Sequence, residues 1–520
     1  MATNIVWIIQ DQSPPLWDMA GHSYRSVYDS ELVLSGQLET LLISQETHYP
    51  FFTYLVTGVF YLFFGHLVDV PQYSLLLFLV IAQLATFAIT KIFTGSDKAA
   101  FFASILLALF PLTAHFSRTY DLDYPLMAMF GLSFFCLLKT KFFSETKWSL
   151  LFGLAVGLAF LTKFMLPAFI APLILVYLAY YFIGRKKKDY PLLKTVLRNG
   201  ALAFLIFVLI AGPWYYFHYE TVLAVGEETN ANEFFVKFTK LISWSNFTYY
   251  FKTISAGLSW PQMIIFLAAV ITLAIRRDRK FIFLFSVLTL SYLFLTFYLY
   301  AKESRFFLPL YPLLALIIAM FVFRFKNKYL RWGAATVSLL IAGVFWLQTS
   351  WAVPIVRTDF QAWPAAMQVY GLREVTEKDP QYGFTYPTQY HTQLSQLVAE
   401  IVEDKSDPEA VSMIAVVPNS IFLTANQVQY QGGLKGLKAN YQLSRQLKVH
   451  DWRQSLLAAD YVITKTGDQG PLAWALQAYE VAAEEADELG SFFSDNFTIV
   501  HEYSYQGIGD EEKVRLYRRK

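Results

Sequence analysis

Charge is scarce in this 520-residue chain: Asp, Glu, Lys and Arg make up only 16% of it, against about 25% in an ordinary soluble domain. That deficit, with 55% hydrophobic residues and a positive mean hydropathy, excludes a soluble enzyme and a disordered chain. A net charge of +2 is too small to suggest a nucleic-acid partner. Cysteine is nearly absent. The single one, Cys136, lies in an apolar run, so no intrachain disulfide and no cysteine metal cage can form. No glycine-rich loop is present to cradle a nucleotide phosphate. No His or carboxylate cluster has metal-ligand spacing, and no solenoid repeat or low-complexity tract is visible.

What the chain does contain is long apolar runs. They recur at 72–93, 99–116, 125–138, 148–163, 164–182, 197–216, 259–275, 281–300, 305–323 and 332–350. Each is near the length a helix needs to cross roughly 30 Å of hydrocarbon, two of them falling short. An α-helical polytopic membrane protein of about ten to eleven spans follows. The aromatic content of 18% suits membrane interfaces and core packing and signals no cofactor.

The cations set the direction. Lys91 and Lys98, Lys139, Lys141 and Lys147, Arg185 to Lys188, Arg276 to Lys280, and Arg324, Lys326, Lys328 and Arg331 follow alternate runs. Lys and Arg are retained on the cytoplasmic side. The intervening loops, Ser117 to Tyr124, 217–258 and Ala301 to Arg305, then face outward, as do residues before about 71 and after about 351. The run Arg185 to Lys188 is read as a topology determinant that can also touch anionic lipid.

The beginning of the chain fits this scheme less simply. Ile5 to Ile9 is too short to cross a bilayer, and no leader pattern is present, so a first span is absent or the start lies elsewhere. Residues 50–66 are apolar, but a full crossing there would invert every later loop. They are expected to form a partly inserted hairpin or an interfacial helix.

Beyond residue 351 the composition changes. About half of all acidic residues fall in this last third, and apolar runs shorten to strand length: Ser412 to Val417, Tyr461 to Thr464, Phe497 to Val500 and Val514 to Tyr517. Pro471 to Glu488 is helix-forming. The expected division is therefore 1–350, a membrane domain with a first outer loop at 11–71, and 351–520, a small soluble α/β domain on the outer side.

Ionisable residues beside hydrocarbon are costly and need a reason. Four outward places carry them: Pro14 to His22, with Asp18; Ser117 to Pro125, with Arg118, Asp121 and Asp123; Leu161 to Lys163; and Lys302 to Pro312, with Arg305. Together they suit chemistry on an anionic lipid, in which cations hold a phosphate and a carboxylate takes the proton of an attacking hydroxyl. Plainer roles remain open at this level: Asp18 and Asp123 as helix caps, Arg305 as a snorkelling span end. His22 and His48 suit a structural or acceptor-lining place better than a metal site. Asn246 and Asn496 begin glycosylation-type triplets of no diagnostic weight.

The ordered set of motifs resembles the membrane glycosyltransferases of the GT-C fold, particularly the bacterial group related to protein O-mannosyltransferases and to the aminoarabinose transferase of lipid A. The matching residues are Trp17-Asp18 and His22, Tyr49-Pro50, Ser117-Arg118 with Asp123 and Pro125, Gly157 to Lys163, Pro213-Trp214-Tyr215, and Arg305 with Leu308 to Pro312. The tail adds Ala459 to Ile463 and Arg515 to Arg519. The resemblance implies transfer of a sugar, with inversion, from an undecaprenyl- or dolichyl-phosphate carrier to an acceptor hydroxyl on the outer face. Asp18 matches the catalytic aspartate of the first loop, although Met19 stands where many relatives carry a second acid. Arg305, Lys302 and Lys163 are the expected phosphate ligands. Asp123, Asp121 and Arg118 are the expected orienting groups, and His22, His48 and Tyr49 the cavity lining. No cofactor and no metal are expected. The expected partners are the lipid-linked donor, a lipid, glycan or protein acceptor, and membrane lipids, but no nucleic acid; the expected location is the bacterial inner membrane. A flippase for a polyprenyl-linked sugar, or a noncatalytic relative, is the alternative.

Overall fold

Hydrocarbon offers a peptide backbone no water to bond, so each apolar run closes its N–H and C=O groups on itself as a helix. The computed structural model describes residues 1–44, 48–184, 192–230, 243–299, 302–351, 353, 387, 393–420, 423–443, 452–467, 469–470, 476–486, 491–506 and 511–520. The basic run Arg185 to Lys188 lies outside them. In order come α1 (Ala2–Gln10), α2 (Trp17–Leu34), α3 (Leu38–Ile43), α4 (Phe52–Phe64), α5 (Val70–Thr94), α6 (Asp97–Leu109), α7 (Pro111–Phe116), α8 (Asp123–Lys139), α9 (Thr146–Phe160) and α10 (Pro167–Gly184). Then follow α11 (Leu193–Asn230), α12 (Trp244–Leu258), α13 (Trp260–Ile275), α14 (Arg279–Tyr298), a 3-10 segment (Ser304–Leu310), α15 (Tyr311–Val322) and α16 (Lys328–Trp351). The last part holds α17 (Leu394–Asp404), β1 (Ser412–Val416), α18 (Ala425–Leu434), β2 (Ala439–Leu443), α19 (Trp452–Leu457), β3 (Tyr461–Lys465), α20 (Leu476–Ala486), α21 (Ser491–Asn496), β4 (Phe497–Gln506) and β5 (Glu511–Arg519).

Two compact units share the chain. The first comprises Met1–Ile5, Leu32–Val56 and Gln72–Leu372; the second comprises Val6–Glu31, Thr57–Pro71 and Arg373–Lys520. A single boundary at residue 350 is thus replaced by an interleaved one. The reason is apolar burial within the second unit. Leu16 is buried with Leu397, Val416, Val428 and Ile463, and Met19 packs on the same cluster. Val27, Tyr61, Val70 and Tyr430 form another, in which the Tyr61 and Tyr430 hydroxyls lie 3.2 Å apart.

In the first unit every expected apolar run is helical, though the runs differ in how far one unbroken helix carries them. Among the described residues, five stretches are by themselves long and apolar enough to cross a membrane: Val70–Thr94, Leu193–Ala224, Arg279–Tyr298, Ser304–Val322 and Lys328–Trp351. A sixth arises if α12 and α13, bent by 115° at Ser259, count as one. The run 99–116 is divided between α6 and α7 at Phe110, whose extended backbone precedes Pro111. The 13-residue α4 is about 20 Å long at 1.5 Å per residue and falls short of the hydrocarbon thickness. Basic loops gather at one end, where Arg324 pairs with Asp278 at 2.8 Å and Lys91 with Asp97 at 2.8 Å.

Helix packing in lipid depends on close backbone approach, because the surrounding tails are as apolar as leucine. Gly153 on α9 shows this: a Cβ there would lie 2.2 Å from the Ala203 carbonyl oxygen of α11.

The second unit contains a five-stranded sheet ordered β2-β1-β3-β5-β4, with β2, β1 and β3 parallel and β5 and β4 antiparallel. Alternation separates its two faces. Ile414, Val416 and Ile463 join one core with α17 and α18, while Ala415, Val417 and Val462 join another with Trp452 and Val481. Four of these strands overlap the runs read from sequence. The edge strand β2, Ala-Asn-Tyr-Gln-Leu, carries too little apolar character to stand out.

Gly153→Leu is expected to cost about 1–3 kcal/mol by overpacking, read as earlier thermal unfolding of the purified protein in detergent; an unchanged midpoint would contradict the close approach. In the second unit burial pushes the Asp69 carboxyl up to about 6, and the Asp11 carboxylate adds to the rise. The folded state then binds this proton more tightly than the unfolded state, whose value is about 4, so stability falls as pH rises from about 4 to about 6. Asp69→Asn should flatten that part of the stability profile and raise Tm at pH 7; a profile identical to the parent's would refute the assignment.

Candidate active site

Three connections at the end of the first unit away from its basic loops bring charged residues together: α7 to α8, α9 to α10, and α14 to α15. Asp123 occupies the first turn of α8, where a carboxylate complements the helix dipole, and Pro125 follows with its fixed φ. Lys163 stands in the turn after α9, its N–H directed to the Ala159 carbonyl at 3.4 Å. Arg305 lies in the 3-10 segment that precedes α15.

These side chains form one ionic network. Lys163 Nζ donates to Asp123 Oδ2 at 2.7 Å. Arg305 pairs with Asp121 and with Glu303, and its Nε lies 3.6 Å from Asp123 Oδ2. The Asp123 N–H reaches Asp121 Oδ1 at 3.4 Å. Phe306 sits beside both cations, its ring centre 5.2 Å from Lys163 Nζ and 5.8 Å from Arg305 Cζ. Asp123 is 1% exposed, Asp121 2%, Lys163 3% and Arg305 7%. Charges so far from water persist only when paired, so each of these groups depends on its neighbours.

Neighbouring motifs hold the Lys163 turn in place. The Phe52 N–H donates to the Leu161 carbonyl at 3.1 Å. The Tyr215 hydroxyl donates to the Phe160 carbonyl at 2.9 Å, with the two rings stacked at 4.0 Å. Tyr49 stacks on Phe164 at 6.0 Å, and His48 lies 4.1 Å from Tyr49. Tyr49 to Phe52, Leu161 to Lys163 and Pro213 to Tyr215, scattered in the sequence, are thus one local assembly. Arg118 is buried, and its Nη2 donates to Ser350 Oγ at 2.9 Å, tying the Asp121 loop to the last turn of α16.

Two other expected groups are placed differently. Lys302 is not in the network: its ammonium donates to the carbonyls of Leu295, Thr296 and Leu299 at 3.2, 2.7 and 3.1 Å, capping the C-terminus of α14. All three of its hydrogens are used there. Partial burial also pushes its pKa down to about 8. Asp18 and His22 belong to the second unit. Asp18 is exposed in the first turn of α2, and His22 is buried on the same helix. Among the described residues no group of three His, Cys, Asp or Glu side chains could hold a metal ion. Glu303, Phe306 and Ser350 are participants that sequence reading did not single out. Proximity to Arg305 was the available signal for the first two, and none existed for Ser350.

Because Asp123 and Lys163 are buried partners, Asp123→Ala alone should cost about 3–5 kcal/mol by stranding the ammonium. Lys163→Met in that background should restore part of the loss, a non-additivity visible in thermal unfolding of the two single variants and the double variant. Strict additivity would show that the pair is not coupled.

A family profile described as dolichyl-phosphate-mannose-protein mannosyltransferase matches residues 47–216, a stretch holding Asp121, Asp123 and Lys163. No curated protein sequence matches the chain. Among solved structures, ArnT from Cupriavidus metallidurans in the apo state superposes with a TM-score of 0.61 at 14% identity, over 98% of this chain and 96% of that one. The same protein bound to undecaprenyl phosphate gives 0.59 at 14% identity, over 99% and 96%. The archaeal oligosaccharyltransferase AglB from Archaeoglobus fulgidus, in complex with an inhibitory peptide and a dolichol-phosphate, gives 0.53 at 10% identity, over 100% of this chain and 74% of that one. The chain has the fold of the GT-C membrane glycosyltransferases and resembles their protein mannosyltransferase and ArnT branch.

Proposed function

We propose that this integral membrane protein transfers a sugar from a polyprenyl-phosphate donor to an acceptor hydroxyl on the outer face of a bacterial inner membrane, with inversion at the anomeric carbon. The observation that carries the reading is the meeting of Lys163 and Arg305, from connections far apart in sequence, beside Asp121 and Asp123 at the end of the helices opposite the basic loops. Structures superposing on this chain hold undecaprenyl phosphate or a dolichol-phosphate, which supports a lipid-linked phosphate as the donor class.

The chemistry then follows from charge. The acceptor oxygen attacks the anomeric carbon on the side opposite the phosphate, and the bond from that carbon to the phosphate oxygen breaks. The bonding pair leaves with the phosphate, where Lys163 and Arg305 would neutralise the developing charge. Asp18 is the proposed base for the acceptor proton, on the strength of the resemblance at Trp17-Asp18 and its exposed carboxylate. The activated carrier supplies the driving force, so the reaction as proposed uses neither nucleotide nor ATP.

The break between α12 and α13 favours one rival, since transporters commonly bind substrate at discontinuous helices. Reconstituted protein supplied with a labelled polyprenyl-phosphate sugar separates the two. Asp18→Asn is expected to lower turnover by about 10²–10⁴-fold with donor binding retained, the range for loss of a general base. Arg305→Ala should weaken donor binding. Undiminished turnover in both variants would reject the assignments, and sugar crossing the bilayer on its carrier would favour the transporter.

A further inference from the structure

Both cations of the ionic network are already occupied by carboxylates. Asp121, Asp123 and Glu303 bring three negative charges to the two positive ones of Lys163 and Arg305 within the ion pairs described above. A phosphate drawn to Arg305 would meet a guanidinium already held by two carboxylates and shielded from water, where like charges repel strongly. One carboxylate must give up its cation first.

Asp121 and Asp123 are poorly suited to leave. Their side chains are 2% and 1% exposed, they are linked through the Asp123 N–H, and Asp123 also holds Lys163. Glu303 is different. Its side chain is 17% exposed, the most of any in the network, and its backbone is extended (φ −130°, ψ 149°) just before the 3-10 segment. It reaches Arg305 from only two residues away, through a side chain one methylene longer than aspartate's, so rotation about its own torsions can release the guanidinium without moving a helix.

We propose that Glu303 is a resident stand-in for the ligand's phosphate: its carboxylate occupies Arg305 until the phosphate replaces it, one anion exchanging for another. This rests on the donor reading given above. A guanidinium presents the same planar fork of donors to a carboxylate and to a phosphate, so the two compete for one geometry. While the site is empty Glu303 keeps Arg305 paired, and a neutral lipid alcohol, with no anion to offer, cannot displace it. Apparent donor affinity is then lowered by the fraction of molecules in which Glu303 still holds its place.

The test uses the full chain in lipid nanodiscs titrated with undecaprenyl phosphate, and with undecaprenol as the uncharged probe. E303Q is expected to bind undecaprenyl phosphate at least about threefold more tightly than the parent, because the competing form is removed, with no difference for undecaprenol. The ligand-induced rise in Tm, which reports folded protein alone, should be larger for E303Q. Equal or weaker binding by E303Q, with no larger rise, overturns the stand-in and identifies Glu303 as structural or ligand-supporting. Failure of the parent to bind undecaprenyl phosphate, or undiminished binding by R305A, overturns the donor reading and the stand-in with it. A parent that binds, an R305A that does not, and an unimproved E303Q remove the stand-in alone.

Discussion

Two cations held out of water by three carboxylates form the constraint around which the membrane unit is arranged. At a few per cent exposure the charges of Lys163 and Arg305 are costly unless the carboxylates of Asp121, Asp123 and Glu303 stay within reach. That requirement fixes three interhelical connections against one another. It explains why the helices around them are cut short: the chain gives up regular helix at Phe116, Phe160 and Tyr298 so that backbone and side chains can turn inward. Irregular backbone beside hydrocarbon is tolerated where protein covers it or a cavity adjoins it.

The same logic runs through the supporting contacts. The Phe160 and Leu161 carbonyls, left over at the end of α9, accept from Tyr215 and Phe52 instead of from water. Arg118 reaches Ser350 at the far end of α16, so the loop carrying Asp121 is tied to the helix through which the chain leaves the membrane unit. Lys302 closes the carbonyls at the end of α14 without joining the network. Helix termini and buried ion pairs draw on the same charged side chains, and here the two uses are divided between Lys302 and Arg305.

Much of this arrangement was legible in the residues. The position of each apolar run, the alternation of basic loops, and the special character of Asp121, Asp123, Lys163 and Arg305 all follow from the cost of placing charge near lipid. Other features were hidden because they depend on distance. Lys302 and Arg305 look equivalent in a string of letters, and only the location of the α14 carbonyls distinguishes them. Glu303 looks like an ordinary loop acid until its pairing with a buried Arg305 that also meets Asp121 is seen. Where a run is broken was also hidden, because hydropathy marks apolar content and not the continuity of the helix that carries it.

The sequence alone determined that the protein lives in a membrane, where its helices lie and which residues carry unusual charge, because hydrophobic transfer and charge burial are properties of composition and spacing. Only the tertiary structure decided which charges meet, that Phe306 lies beside two of them, and that the second unit draws on α2 and the end of α4 as well as the tail. Those outcomes depend on contacts between residues tens to hundreds of positions apart, and no local pattern encodes them.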